Sequence, residues 1–347
     1  MLIALIPAHN EATSIATTLD AVLPQLSASD ACIVVADNCT DATVEVSRER
    51  GATVWATSGN RAKKAGALNQ ALDFVLPQLA DDDHVLVMDA DTWLDSSFVE
   101  CAVATLERGG YGGVGGTFRG GEGGGFVGML QRNEYARYGR DVHRLKGKVL
   151  VLTGTAAIFS VRALRAVIAA RLDGRLPGGA AQVYDTRVLT EDNELTLALM
   201  HLGYKILSPA GCTMVTEVMT SWRDLYAQRL RWKRGAIENL VDYGLTRITW
   251  RYWLRQLWTF LGVVVTGLYL GTLLADAVLA HGVHVHAVWA AVTVIFAAER
   301  VVTVRQRGWS HMAYSALLVI EMPYDIALQG VHLRALWHSV THRERNW

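Results

Sequence analysis

Short apolar strands alternate with amphipathic helices through the front of this chain, and few folds accept that pattern. Residues 2–6 read as a buried strand, 10–26 as a helix by apolar spacing, and 31–36 as a second strand. Residues 41–50 read as a helix, 53–56 as a third strand, and 65–79 as another helix. Residues 84–89 form a strand signal that ends in acidic residues. Strands separated by crossover helices pair in parallel, so the expected class is α/β with a mainly parallel, doubly wound sheet. Ligands in such sheets sit beyond the carboxyl ends of the strands, and here polar residues cluster after several of those ends.

The glycine-rich stretch 109–128 matches no phosphate-loop or dinucleotide fingerprint and reads as a flexible loop, with a substrate-closing lid as the alternative. Residues 129–142 look helical, 149–160 look like strand, and 190–202 form a helix opened by acids. A chain of 347 residues has room for one large α/β domain plus a smaller part. The four cysteines, Cys32, Cys39, Cys101 and Cys212, form no Cys-x-x-Cys pair, so reduced thiols are expected rather than a disulfide framework or zinc site. The apolar run after Met1 is too short for a signal-peptide core.

Net charge is zero, but acids outnumber bases before Thr216 and bases outnumber acids after it. An acidic front that binds an anionic substrate needs a cation's help. The basic rear mixes Arg with Trp over 221–258, the composition of helices in a lipid headgroup region, and this favours a membrane surface over nucleic acid. Apolar runs follow at 258–280, 287–304 and 312–331. The first has the roughly 20 residues a bilayer span requires. The third holds Glu321, Pro323 and Asp325, so two spans are expected and a spanning, re-entrant, interfacial or oligomer-buried third run stays open. Arginine counts around the runs put the catalytic part on the cytoplasmic side and the His-rich 281–286 loop opposite.

The strongest chemical signal is Asp89-Ala90-Asp91 at a strand end. Two carboxylates at that spacing repel each other unless a divalent cation joins them, and hard oxygen ligands select Mg²⁺ or Mn²⁺. Alternatively, one Asp caps the following turn. Pro7-Ala8-His9-Asn10-Glu11 and Asp37 stand at the first and second strand ends, where Asn10 and Asp41 also read as helix caps. The segment 60–69, with Lys64, brings cations before a helix and suits a phosphate or merely a solvated turn. Thr190-Glu191-Asp192 reads as first-turn capping or as a general base. Gln228-Arg229-Leu230-Arg231-Trp232 reads as an interfacial anchor or as a diphosphate and sugar contact.

In this order and spacing the motifs resemble glycosyltransferase family 2, the GT-A group with cellulose, chitin, hyaluronan and poly-N-acetylglucosamine synthases, over residues 1 to 240. The resemblance implies a GT-A domain at 1–215, amphipathic interface helices at 216–256, a membrane region with two or three spans at 257–335 and a polar tail at 336–347. It implies an inverting transferase that takes a nucleotide-diphosphate sugar, UDP-sugar favoured, to a hydroxyl of a glycan or lipid-linked acceptor. Asp192 with Glu191 and Arg231 would be catalytic. Pro7, His9, Glu11, Asp37, Lys64, Asp89, Asp91, Arg229 and Arg231 would hold the donor, with Mg²⁺ or Mn²⁺ on Asp89 and Asp91. Gly154, Thr155 and Trp232 would meet the acceptor. No span precedes the domain, so one copy is too small for a polymer channel, although a homo-oligomer could enclose one. A silent nucleotide-sugar-binding membrane scaffold is the rival reading.

Overall fold

A computed structural model describes residues 1–279 and 286–341. The expected alternation is present: β1 (Leu2–Ala8), α1 (Ile15–Val22), β2 (Ala31–Ala36), α2 (Thr43–Glu49), β3 (Thr53–Ala56), α3 (Lys63–Val75) and β4 (His84–Met88). Then come β5 (Thr92–Leu94), α4 (Phe98–Leu106), β6 (Tyr111–Gly115), β7 (Thr117–Gly120), α5 (Gly125–Arg144), β8 (Ala156–Ser160) and α6 (Val161–Leu172). The domain closes with α7 (Glu191–His201), β9 (Lys205–Leu207) and β10 (Thr213–Thr216).

The main sheet has seven strands in the order β3-β2-β1-β4-β8-β6-β9. Pairing is parallel from β3 through β4, and β8 alone runs against its neighbours. Successive side chains of a strand point to opposite faces. In β1, Leu2, Ala4, Ile6 and Ala8 accordingly enter the core under α1 and α4, while Leu5 enters the core under α3, α6 and α7. Each fully buried Leu or Ile in these layers contributes about 1.5–3 kcal/mol. Because β8 is reversed, Thr155 reaches the carboxyl edge of the sheet from the opposite direction, and its carbonyl accepts from Asp89 N at 3.0 Å. A smaller sheet, β5-β10-β7, abuts this edge.

Two expectations fail here. The glycine-rich stretch is not a flexible loop, because β6, β7 and the start of α5 occupy it. Its glycines sit under large side chains: a Cβ on Gly113 would lie 2.6 Å from Leu152 Cδ1, and one on Gly116 would lie 2.5 Å from Phe98 Cε2. The strand expected over 149–160 is confined to Ala156–Ser160, and the residues before it form the rim of the site.

The rear part contains α8 (Trp222–Tyr243), α9 (Trp250–Leu279), α10 (Ala287–Val304), α11 (Trp309–Ala316) and α12 (Leu318–Val340). Ser221 caps α8 by accepting from Asp224 N at 3.1 Å. Among the described residues, α9 and α10 are long and apolar enough to cross a membrane, with mean hydropathies of 1.8 and 1.7. Their surfaces are open, with Leu268 60% and Ile295 69% exposed. The third run behaves differently. Helix α12 packs along α8, and its acids face protein. Glu321 accepts from Asn133 Nδ2 at 3.1 Å and Arg137 at 3.2 Å, both on α5, and Asp325 pairs with Arg300. The 281–285 part of the His-rich loop and residues 342–347 of the tail lie outside the described residues.

Candidate active site

Loops after β1, β2 and β4 meet at the carboxyl edge, and left-handed asparagines turn two of them. Asn10 (φ 59°) and Asn38 (φ 51°) adopt a conformation that asparagine tolerates better than most residues. Asn10 is not the α1 cap: its Oδ1 accepts from Thr40 N at 2.7 Å and ties the first loop to the second, while Ser14 stands at the cap position. Asp41 stands one residue before the α2 cap position, which Ala42 occupies, and accepts from Thr43 N at 3.0 Å. Asp37 is buried and fixed by Thr57 Oγ1 at 2.7 Å and Asn38 Nδ2 at 3.0 Å, and His9 Nδ1 donates to its carbonyl at 2.6 Å.

Asp89 and Asp91 stand either side of buried Ala90, whose carbonyl accepts from Thr18 Oγ1 at 2.7 Å. Burial, together with the charges of Asp89, Glu11 and Glu217, pushes the Asp91 carboxyl up to about 7. Burial first, and then the same acidic neighbourhood, also raises Glu11. Glu217 follows β10, whose main chain is tied to this turn by Glu217 N donating to Asp91 O at 3.3 Å. The sequence offered no sign of Glu217's place, since only the β5-β10 pairing brings it here.

Lys64 connects the halves of the site. Its ammonium pairs with Asp89, donates to Gly154 O at 3.2 Å and lies 3.7 Å from Glu191 Oε1. Burial works against that charge, but Asp89, Glu191 and Asp192 outweigh it and hold the ammonium above its usual range. Asn60 shapes the loop that delivers Lys64, accepting from Ala62 N at 3.0 Å and donating to Lys63 O at 2.8 Å. Across from it, Asp192 accepts from Gly154 N at 2.8 Å and Asn193 N at 2.7 Å. Burial and the charge of Glu191 still push its carboxyl up to about 6. Gly154 fits between the two: a Cβ there would lie 3.0 Å from Lys64 Nζ and 3.4 Å from Asp192 Oδ2. Thr155 is on the same rim, its Oγ1 2.8 Å from that of Thr153. A recess lined by Lys64, Thr153, Tyr184, Glu191 and Asp192 lies beneath.

Helix α8 braces this arrangement from behind. Asn239 Nδ2 donates to Thr190 O at 3.1 Å and Asn193 Oδ1 at 2.9 Å, either side of Asp192. Of the Gln228–Trp232 motif, Arg229 departs from the donor-binding expectation. It is 2% exposed, pairs with Glu134 Oε2 at 2.9 Å and lies 4.5 Å over the Trp232 ring, so that ring face is taken. Glu134 is held below its usual range because Arg229 and Tyr324 outweigh its burial. Arg231 is exposed, and no ion pair to the acidic cluster engages it among the described residues.

Among the described residues no group of three or more His, Cys, Asp or Glu could close around a metal ion. The donor set Asp89–Asp91, two hard carboxylates with Glu11 and Glu217 close enough to raise Asp91, fits a divalent ion that would complete its shell with substrate oxygens.

Comparison with known proteins agrees with this geometry. Poly-beta-1,6-N-acetyl-D-glucosamine synthase of Staphylococcus aureus (strain COL) is 28% identical over 282 residues, 77% of this chain and 63% of that protein. The chain thus spans less than two thirds of the length of that curated relative. A mannosyltransferase from Pyrobaculum calidifontis, solved in complex with GDP-Man and Mn²⁺, aligns at a TM-score of 0.58 and 19% identity over 99% of this chain and 88% of that one. That likeness shows the GT-A fold. The model for glycosyl transferase family 2 matches residues 3–168, the part that carries Glu11, Asp37, Lys64, Asp89 and Asp91, and over those residues the chain is similar to that family.

Proposed function

We propose that this enzyme transfers a sugar, with inversion, from a nucleotide-diphosphate donor to a hydroxyl of a membrane-proximal acceptor. One observation carries the reading: Lys64 joins Asp89 on the donor side to Glu191 beside Asp192, so motifs about a hundred residues apart converge on one ammonium. Asp37 and Glu11 hold the nucleoside, with Pro7 near the end of β1 and His9 in the loop that follows it. Lys64 faces the diphosphate. Asp192 takes the acceptor proton, since a base with a pKa near 6 is ionised at neutral pH yet still accepts a proton. Gly154 and Thr155 form the rim against which the acceptor lies.

Asp89 and Asp91 would hold a divalent cation, Mg²⁺ or Mn²⁺, which neutralises charge on the leaving diphosphate when bound. Arg231 is free to reach that diphosphate once the donor is bound, whereas Arg229 positions α8 through Glu134. The length and apolar surface of α9 and α10 support a membrane anchor, and the Arg-rich stretch before α9 supports a cytoplasmic catalytic domain. The 28% relative supports polysaccharide assembly as the setting.

The test is release of nucleotide diphosphate by the full chain in native-lipid nanodiscs, given Mg²⁺ or Mn²⁺ and a panel of UDP-, GDP- and dTDP-sugars. UDP-sugars are expected to turn over. No release from any donor would overturn the reading.

A further inference from the structure

The connection from α6 to α7 has no regular structure, yet two helices grip it at one place. Asn69, 1% exposed on α3, donates to Tyr184 O at 2.8 Å and accepts from Tyr184 N at 2.9 Å. Arg171, equally buried near the end of α6, donates to Val183 O at 3.0 Å and to Glu194 Oε2 at 2.6 Å. Glu194 stands two residues beyond Asp192, and its other oxygen accepts from the Tyr243 hydroxyl of α8 at 2.6 Å. Irregular backbone inside a protein must have its polar groups matched, and here side chains supply what strand pairing would. The backbone thus fixed carries Tyr184.

Tyr184 is 3% exposed and forms a wall of the recess it shares with Lys64, Glu191 and Asp192. Leu68, Val87 and Phe159 line the same recess, so its charged groups stand against apolar walls. Those charged groups are already engaged. Lys64 pairs with Asp89 and donates to Gly154 O, and Asp192 accepts from two backbone N–H groups. The bonds to Tyr184 are all to its main chain, and among the described residues none engages its hydroxyl. Burial raises the pKa of that hydroxyl, which also feels the charges of Lys64, Glu191 and Asp192. Buried hydroxyls are ordinarily matched, so a partner that arrives with substrate completes this one.

In-line displacement sets where that substrate lies. The anomeric carbon must sit between the leaving diphosphate, on the side of Lys64 and Asp89, and the acceptor oxygen at Asp192. A sugar ring in that position covers the recess that Tyr184 lines. We propose that Tyr184 is a specificity-determining residue whose hydroxyl hydrogen-bonds a ring hydroxyl of the donor sugar. That the ligand is a donor sugar rests on the transferase reading above; the clamped tyrosine and its recess do not.

The experiment is calorimetry on the full chain in native-lipid nanodiscs with Mg²⁺. Wild type and Tyr184→Phe are titrated with UDP-glucose, UDP-N-acetylglucosamine or GDP-mannose, and with UDP or GDP alone. The variant loses one oxygen, so it should bind the best nucleotide sugar about three- to tenfold more weakly and the bare nucleotide unchanged. Unchanged nucleotide affinity also shows that the variant is folded. Among mono-deoxy analogues of that donor, one should bind both proteins alike, because the partner of the tyrosine hydroxyl is then gone. Equal binding of every nucleotide sugar by both proteins would overturn the proposal. So would a variant that weakens nucleotide and nucleotide sugar together, or deoxy analogues that all keep the difference, or a wild type that binds none of the sugars. Nucleotide diphosphate release is read in the same samples. A sugar-specific loss in Y184F without release from any donor by wild type would sink the transferase reading and leave the contact standing. Release by wild type with equal sugar binding in both proteins does the reverse.

Discussion

Asp192 shows how neighbours set the working range of one residue. Two backbone N–H groups stabilise its charged form, yet burial and Glu191 win and push it up to about 6. Turnover should therefore rise as pH passes upward through about 6, because only the ionised carboxylate accepts the acceptor proton. Asp192→Asn should keep nucleotide affinity and lose turnover by about 10²–10⁴-fold, measured as diphosphate release. Stability should move the other way. An acid whose folded pKa is raised binds its proton more tightly when folded, so stability is lost as pH climbs from the ordinary carboxyl range through about 6. The Asn variant should melt higher than wild type at neutral pH and lose that advantage in strong acid. Gly154 is the second residue-scale test. Alanine there must displace Lys64 or Asp192, so kcat should fall with little change in donor KM, and a variant with unchanged kcat would show that the rim yields freely. Glu11, Asp37, Asp89 and Asp91 were legible because each follows a strand whose pattern is plain. Gly154's duty was visible only through the resemblance, since β8 reaches the edge backwards.

At the scale of elements, the buried side of α8 governs the base from a distance. Asn239 supplies the donors that hold Thr190 and Asn193, and Gly235 lets the helix approach, because a Cβ there would lie 2.5 Å from Thr190 Oγ1. Asn239→Ala leaves buried acceptors unmatched and should cost about 1–3 kcal/mol in urea unfolding. It should also slow turnover while leaving the pH midpoint near 6, since the carboxylate's own neighbours remain. A wild-type rate would mean that α7 holds Asp192 unaided. None of this could be read from the Gln228–Trp232 segment, which reads equally as an interfacial anchor. The glycine-rich stretch misled for a related reason. Without Cβ atoms it carries no periodic signal, and its strands exist because Phe98, Leu152 and Phe159 pack onto bare backbone.

At the scale of the whole molecule, the question is on which side of the membrane α12 lies. Its apolar composition left a span open, and hydropathy is blind to where Glu321 and Asp325 point. Glu321 is 1% exposed and held by Asn133, Ser315 and Arg137, and Asp325 pairs with Arg300 of α10. An acid with that many partners is at home inside protein and costly in hydrocarbon. If α9 and α10 both cross a membrane, as proposed above, they return the chain to its starting face, and α12, which packs against α5 and α8, is expected on the side of the catalytic domain. A fluorescent protein fused after the last residue should glow in the cytoplasm, and alkaline phosphatase fused there should stay inactive. The opposite pair of results would put α12 through the bilayer. Glu321→Leu separates the placements energetically. If α12 packs on α5, the change strands Arg137 and Asn133 in a buried pocket and should destabilise the fold by about 3–5 kcal/mol. If α12 faced lipid instead, the same change would stabilise it, so the sign of the shift in thermal melting of the detergent-solubilised chain decides between them.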